Sequence, residues 1–249
     1  MSGHNRWSKL KRAKAVLGVT KGKLYTKLIK ELTVSAKLGG GDPSGNARLR
    51  VAIAAAKGAN MPSDGIQRAI KKGTGELEGV SYEEVAYEGY GPGGVAILVE
   101  CLTDNRNRTA TEVRMSFSKL GGNMATEGSV AWMFRKVGTI QVKPGPTEDA
   151  VMEQAIEAGA EDVLNHGEDG FEVRTRPADL HQVGQALEQA GLTLGELKWS
   201  FLPQTTVALE LENAKLVLRL VDALEDNDDV QAVYGNFEID DAVMDQISG

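Results

Sequence analysis

The apolar residues of this chain change period once, near residue 80, and that change divides what it can fold into. From Lys23 to Leu38 the residues Leu24, Leu28, Ile29, Leu32 and Ala36 recur at helical spacing, with Lys23, Lys27 and Lys30 on another face. Gly39 to Pro43 stops this helix. Leu49, Ala52, Ile53 and Ala56 mark a second, and Met61-Pro62-Ser63 opens a third, because proline's missing N–H is not needed in a first turn. Ile66, Ala69 and Ile70 supply its buried stripe before Gly73 and Gly75. The first 80 residues are therefore expected to form an all-helical domain.

After Gly79 the period is 2. Val85 and Tyr87 alternate with polar neighbours, Gly91-Pro92-Gly93-Gly94 makes a tight turn, and residues 95–102 read as a buried strand. Thr103-Asp104 is expected to cap a helix carrying Val113, Met115 and Phe117, and 129–134 reads as the next strand. Residues 137–201 then run strand, helix, two strands, helix, strand, which is the βαββαβ order of ferredoxin-like domains. A strand at 206–211, a helix at 214–225 with Asn213 as its cap, and a strand at 230–237 remain over. Joined to 95–134 they complete a second βαββαβ unit, so the fold class is α+β. The expected domains are a helical one at 1–80, a discontinuous α/β one at 81–134 plus 204–249, and an inserted ferredoxin-like one at 135–203. The segment from Gly73 to Gly79 is the expected hinge.

Charge follows the same division. The net charge of the whole chain is -7, but residues 1–80 hold sixteen Lys/Arg against five Asp/Glu, a net +11, and the remainder carries -18. Such a split points to a polyanion partner for the basic part, where phosphate neutralisation and counterion release give affinity in proportion to available cations. The arm Arg6, Trp7, Lys9, Lys11, Arg12, Lys14, Lys21 and Lys23 sets cations around one aromatic ring. It offers phosphate contacts together with base or cation–π stacking, although Trp7 has the alternative of packing on the helices. Lys27, Lys30, Lys71 and Lys72 extend the basic set. Arg106 and Arg108 open a helix whose dipole disfavours cations there, so they call either for a bound anion or for pairing with acidic residues of a neighbouring domain.

Other chemistries find little support. Gly89-Tyr90-Gly91-Pro92-Gly93-Gly94 has the literal G-x-G-x-x-G form but precedes a strand, whereas a dinucleotide loop opens a helix. Gly18 to Lys23 is one residue short of a phosphate loop and ends in Leu24, where that loop carries Ser or Thr. His4, His166 and His181 lie far apart, and Cys101, the single cysteine, sits in an apolar run as a small buried hydrophobe. The expectation is a cytoplasmic protein without catalysis, cofactor, metal, small-molecule substrate or membrane partner, with its oligomeric state left open. The acidic stretch from Glu225 to Asp229 reads as a solvated helix end.

Several strings carry a family pattern: Gly3-His4 with Trp7, Lys21-Gly22-Lys23, Asn60-Met61-Pro62, Ile70-Lys71-Lys72-Gly73-Thr74-Gly75, Tyr87 to Gly94, Glu100 to Thr109, Gly121-Gly122-Asn123 and Gly128-Ser129-Val130-Ala131. Together they resemble the YebC/PmpR family. The stretch from Arg12 to Gly18 departs from it, lacking the family's more basic, histidine-containing run. The resemblance implies a three-domain protein that binds nucleic acid, in many members as a DNA-binding transcriptional regulator. For mitochondrial relatives it implies activation of translation. A further implication is a place on the ribosome, contacting ribosomal RNA and relieving stalls at proline-rich stretches.

Overall fold

The computed structural model describes residues 21–248 and mixes helices with two four-stranded sheets. Elements are numbered over those residues. Helices α1 (Lys21–Gly39), α2 (Ala47–Gly58) and α3 (Ser63–Thr74) form where the helical period runs. Their apolar stripes close into one core of Leu32, Ala36, Leu49, Ala52, Ala56, Met61, Ile66, Ala69 and Ile70. The buried Asn46 ties two helices together: its side chain accepts from the Leu49 amide, starting α2, and donates to the carbonyls of Ser35 and Gly40 at the end of α1. Gly73 lies inside α3, so only the rest of the expected hinge segment follows the helix. A Cβ at Gly73 would stand 2.3 Å from the Thr33 carbonyl oxygen, so the missing side chain is what lets α3 approach α1.

The first sheet has the order β3-β1-β2-β9, built from β1 (Glu83–Tyr90), β2 (Ala96–Thr103), β3 (Asn123–Met124) and β9 (Val230–Gly235). The turn joining β1 to β2 needs its glycines, with φ of +75° at Gly93 and +78° at Gly94. Helices α4 (Arg106–Lys119) and α7 (Leu211–Glu225) pack on this sheet, and Val113, Phe117, Val217, Leu220 and Leu224 share a core with Val95, Ile97 and Val99.

Three expectations fail here for one reason, competition for backbone hydrogen bonds. The strand expected at 206–211 is not in this sheet: only β8 (Val207–Ala208) forms, paired in parallel with β10 (Phe237–Glu238) as a separate two-stranded sheet. Strand β2 has two edges, and β1 takes one through the tight turn while β9 takes the other. The strand expected at 129–134 is instead a loop and a short 3-10 turn (Ala131–Met133), because its amides are engaged elsewhere. The buried carboxylate of Glu88 accepts from the N–H groups of Gly128, Val130 and Ala131 at 2.5 to 2.8 Å. Burial alone would raise the Glu88 carboxyl, but those donors outweigh it and hold the pKa below the usual range. Asn213 does not cap α7. The helix begins at Leu211, because Leu209 is already fixed by its N–H bond to the Glu238 carbonyl, which leaves Asn213 inside the first turn.

The second sheet has the order β5-β6-β4-β7, from β4 (Phe134–Val142), β5 (Asp162–Asn165), β6 (Phe171–Thr175) and β7 (Leu194–Pro203), all antiparallel. In order of appearance that is 2-3-1-4, the ferredoxin-like arrangement. Helices α5 (Glu148–Ala158) and α6 (Leu180–Gln189) cover it through Val151, Ala155, Leu180, Val183 and Leu187. The outermost pair of its central ladder is Phe134 with Pro203, so the segment that leaves the first sheet after β3 returns beside its own starting point. Helix α8 (Asp241–Ser248) ends the described chain. Among the described residues, no helix is long and apolar enough to cross a membrane.

Candidate nucleic-acid interface

The basic side of α1 faces the rest of the protein, with burial rising from Lys23 to Lys30. Lys23, Lys27 and Lys30 lie four and three residues apart, hence on one stripe, and each reaches the turn after α7. Lys23 pairs with the Asp226 carboxylate and also donates to that residue's carbonyl at 3.2 Å. Lys27 donates to the Glu225 carbonyl at 2.7 Å. Lys30 donates to the Asp228 carbonyl at 2.9 Å, pairs with the Asp229 carboxylate and stands 5.5 Å from the centre of the Tyr82 ring. The carbonyls at a helix C-terminus carry the negative end of its dipole, so cations are favoured there even before the carboxylates are considered. The acidic stretch read as a solvated helix end is thus the other half of a seam between α1 and the first sheet domain.

Asp229 is the hub of that seam. It is buried, and besides Lys30 it accepts from Arg108 Nη2 at 2.7 Å, Thr109 Oγ1 at 2.7 Å and Thr103 Oγ1 at 3.2 Å. Burial alone would raise its carboxyl, but the donations from Arg108, Lys30 and Thr109 outweigh that and pull the pKa down to about 2. Helix α4 is aimed at this point by a cap one residue later than expected. The Asn105 side chain accepts from the Arg108 amide at 3.0 Å, and Thr103 Oγ1 accepts from the Asn105 amide at 2.9 Å. Arg108 also pairs with Asp104, while Arg106 stands 3.8 Å from Glu83. The anions that offset the helix dipole at these two arginines are therefore the protein's own. A polar cleft of about 410 Å³ borders the seam, lined in part by Thr26, Tyr82, Asp104 and Glu112.

A second contact holds the helical domain from another side. Arg48 of α2 makes a paired contact with Glu31, Nε to Oε1 at 2.7 Å and Nη2 to Oε2 at 3.0 Å, and reaches Glu84 of β1 at 2.6 Å.

A different face of the helical domain stays open. Arg68, Lys71 and Lys72 of α3 are exposed, and none of them makes an ion pair with another described residue. Lys71 and Lys72 occupy the last turn, where the dipole favours cations. Asp64, Gln67, Arg68, Lys71 and Leu77 line a shallow groove of about 430 Å³ there. Lys21, Arg50 and Lys57 are exposed as well. Arg68 was not among the residues expected from sequence, although its spacing of three from Lys71 puts both on one helix face. Arg6, Trp7, Lys9, Lys11, Arg12 and Lys14 lie outside the described residues.

Among the described residues no group of His, Cys, Asp and Glu could hold a metal ion. The Cys101 thiol is buried, which pushes its pKa up to about 12 and keeps it protonated and unreactive near neutral pH.

The model of the TACO1/YebC protein N-terminal domain matches residues 5–76, and that of the TACO1/YebC second and third domain matches residues 82–237. The chain belongs to the TACO1/YebC family. A family member from Myxococcus xanthus, named a probable transcriptional regulatory protein, is 67% identical over 247 residues covering 99% of each chain. One of the same name from Geobacter sulfurreducens is 55% identical over 99% of this chain and 100% of its own. The crystal structure of a conserved hypothetical protein from Aquifex aeolicus superposes with a TM-score of 0.84 at 48% identity, over 90% of this chain and 93% of that one. The helices followed by two sheet-containing domains are thus the family's architecture.

Proposed function

We propose that the protein is a nucleic-acid-binding regulator, acting on transcription through DNA, with no reaction chemistry of its own. The observation that carries this reading is the open cationic face of α3, Arg68 with Lys71 and Lys72, on a segment whose net charge is +11. Arg68 donates to the Asp64 carbonyl at 3.2 Å, but none of the three is neutralised by a carboxylate among the described residues, so each can replace condensed counterions on a phosphate backbone. The names of the family members from Myxococcus xanthus and Geobacter sulfurreducens support transcription as the process. The arm with Arg6, Trp7, Lys9, Lys11, Arg12 and Lys14 adds cations and one stacking ring to the same domain. We take the working units as 1–80, 81–134 with 204–249, and 135–203, with the first gripping nucleic acid in the cytoplasm and the acidic remainder keeping other surfaces off it.

The test is a titration of the full-length protein against duplex DNA and against structured RNA at several salt concentrations. Binding to duplex DNA should fall steeply with salt. Lys71→Glu with Lys72→Glu should weaken it and flatten the salt dependence by roughly 0.9 in log–log slope for each phosphate that is no longer neutralised. Binding confined to structured RNA would move the reading from transcription to translation. No salt-dependent binding to either would end it.

A further inference from the structure

The seam on α1 has the chemistry of a polyanion site with an occupant already in it. Lys23, Lys27 and Lys30 form a stripe about 10 Å long at ~1.5 Å per residue, a row of cations on one helix face. Facing the stripe are the carboxylates of Asp226 and Asp229 and the carbonyls of Glu225, Asp226 and Asp228, an array of oxygens with net negative charge. Burial is graded along it. At the inner end the side chains of Lys30 and Asp229 are 7% and 5% exposed, while at the outer end those of Lys23 and Asp226 are 37% and 74% exposed. An exposed pair of this kind is weak and easily exchanged, whereas the buried one is costly to break.

We infer that the turn Glu225–Asp229 is an autoinhibitory polyanion mimic, which covers the outer lysines of α1 until nucleic acid displaces it from Lys23 and Lys27. Lys30 stays paired with Asp229 throughout, so the helical domain remains attached while its stripe opens. This rests on the nucleic-acid reading above and assigns a regulation to that domain. The apparent affinity of the resting protein is lowered by the fraction of molecules in which the turn is seated.

The decisive variant is Asp226→Asn with Asp228→Asn in the full-length protein, since both side chains are exposed and neither is the hub. Its control is Glu153→Gln with Glu157→Gln, an equal change of net charge at exposed positions of α5. Against a short duplex DNA at low salt, the turn variant should bind at least about threefold tighter than the control, as release of a covered site requires. In the wild type, saturating DNA should speed backbone amide exchange across 225–228. Equal tightening by the two double variants would reduce the effect to overall charge and overturn the inference, as would a turn that keeps its full protection in the complex. If no form binds DNA or structured RNA at any salt, the nucleic-acid reading itself falls and takes this inference with it.

Discussion

Helices α1 and α3 belong to one small domain and carry similar basic stripes, yet their cations meet different fates. On α1 the stripe of Lys23, Lys27 and Lys30 is engaged by the turn after α7, from an exposed pair at Lys23 to a buried one at Lys30. On α3 Arg68, Lys71 and Lys72 stay exposed, with Lys71 and Lys72 resting on their own helix end. The difference lies in what each stripe meets, since α1 reaches the acidic turn of the first sheet domain and the basic face of α3 pairs with no carboxylate among the described residues. Counting lysines along a segment measures how much positive charge it holds, and only the packing of its neighbours tells how much is available to a partner.

The sharpest way to break this contrast is Asp229→Ala. It leaves Lys30 and Arg108 without their shared carboxylate, and uncompensated charge at such a site costs about 3–5 kcal/mol. Urea unfolding should show a loss of that order, and a loss below ~1 kcal/mol would mean that water or Asp104 replaces the hub. Acid supplies the same perturbation without a substitution. The Asp229 carboxyl titrates near 3.8 when unfolded and at about 2 in the fold, so its contribution is complete above about pH 4 and is lost as pH falls toward 2. Glu172 behaves alike: burial raises its carboxyl, but His166 and Arg174 outweigh this and bring it from 4.5 to about 2. Wild-type stability should therefore drop through this window, and Asp229→Asn should show a shallower drop than wild type.

Next in size is Gly73→Ala. The added methyl would collide with the Thr33 carbonyl and the Ala36 side chain, and forcing α3 off α1 should cost roughly 1–3 kcal/mol. Thermal unfolding measures it. An unchanged melting temperature would show that the two helices move apart freely, in which case the orientation of the open α3 face is not fixed by this approach.

Much of the fold was legible because it rests on local periodicity. The three described helices of the first domain, the hairpin at the Gly-Pro-Gly-Gly turn and the ferredoxin-like order of the second sheet all follow from apolar spacing and turn residues. What failed depended on which partner wins a backbone group. The 129–134 stretch has the composition of a strand, and nothing in its own residues says that Glu88, some forty positions earlier, takes its amides. Residues 206–211 likewise pattern as a strand, but the edge of β2 they would need is already filled by β1. The candidate site was legible as a basic domain and not as a map. Charge reads directly from sequence, whereas the pairing of Lys30 with a carboxylate 199 positions away does not.

The smallest expected effect separates the two stripes most directly. Lys23→Ala and Arg68→Ala each remove one cation from a solvent-accessible position, so neither should shift the urea midpoint measurably. Their effects on DNA binding should differ. Arg68 has no internal carboxylate among the described residues, so its removal should weaken binding about threefold and lower the salt slope by about 0.9 if it meets one phosphate. Lys23 must first leave Asp226, so the phosphate attraction that its removal forfeits is partly returned by no longer having to break that pair. Lys23→Ala should therefore weaken binding less than Arg68→Ala at every salt concentration. The reverse order would mean that the α1 stripe, and not the open face of α3, is the principal grip on the phosphate backbone.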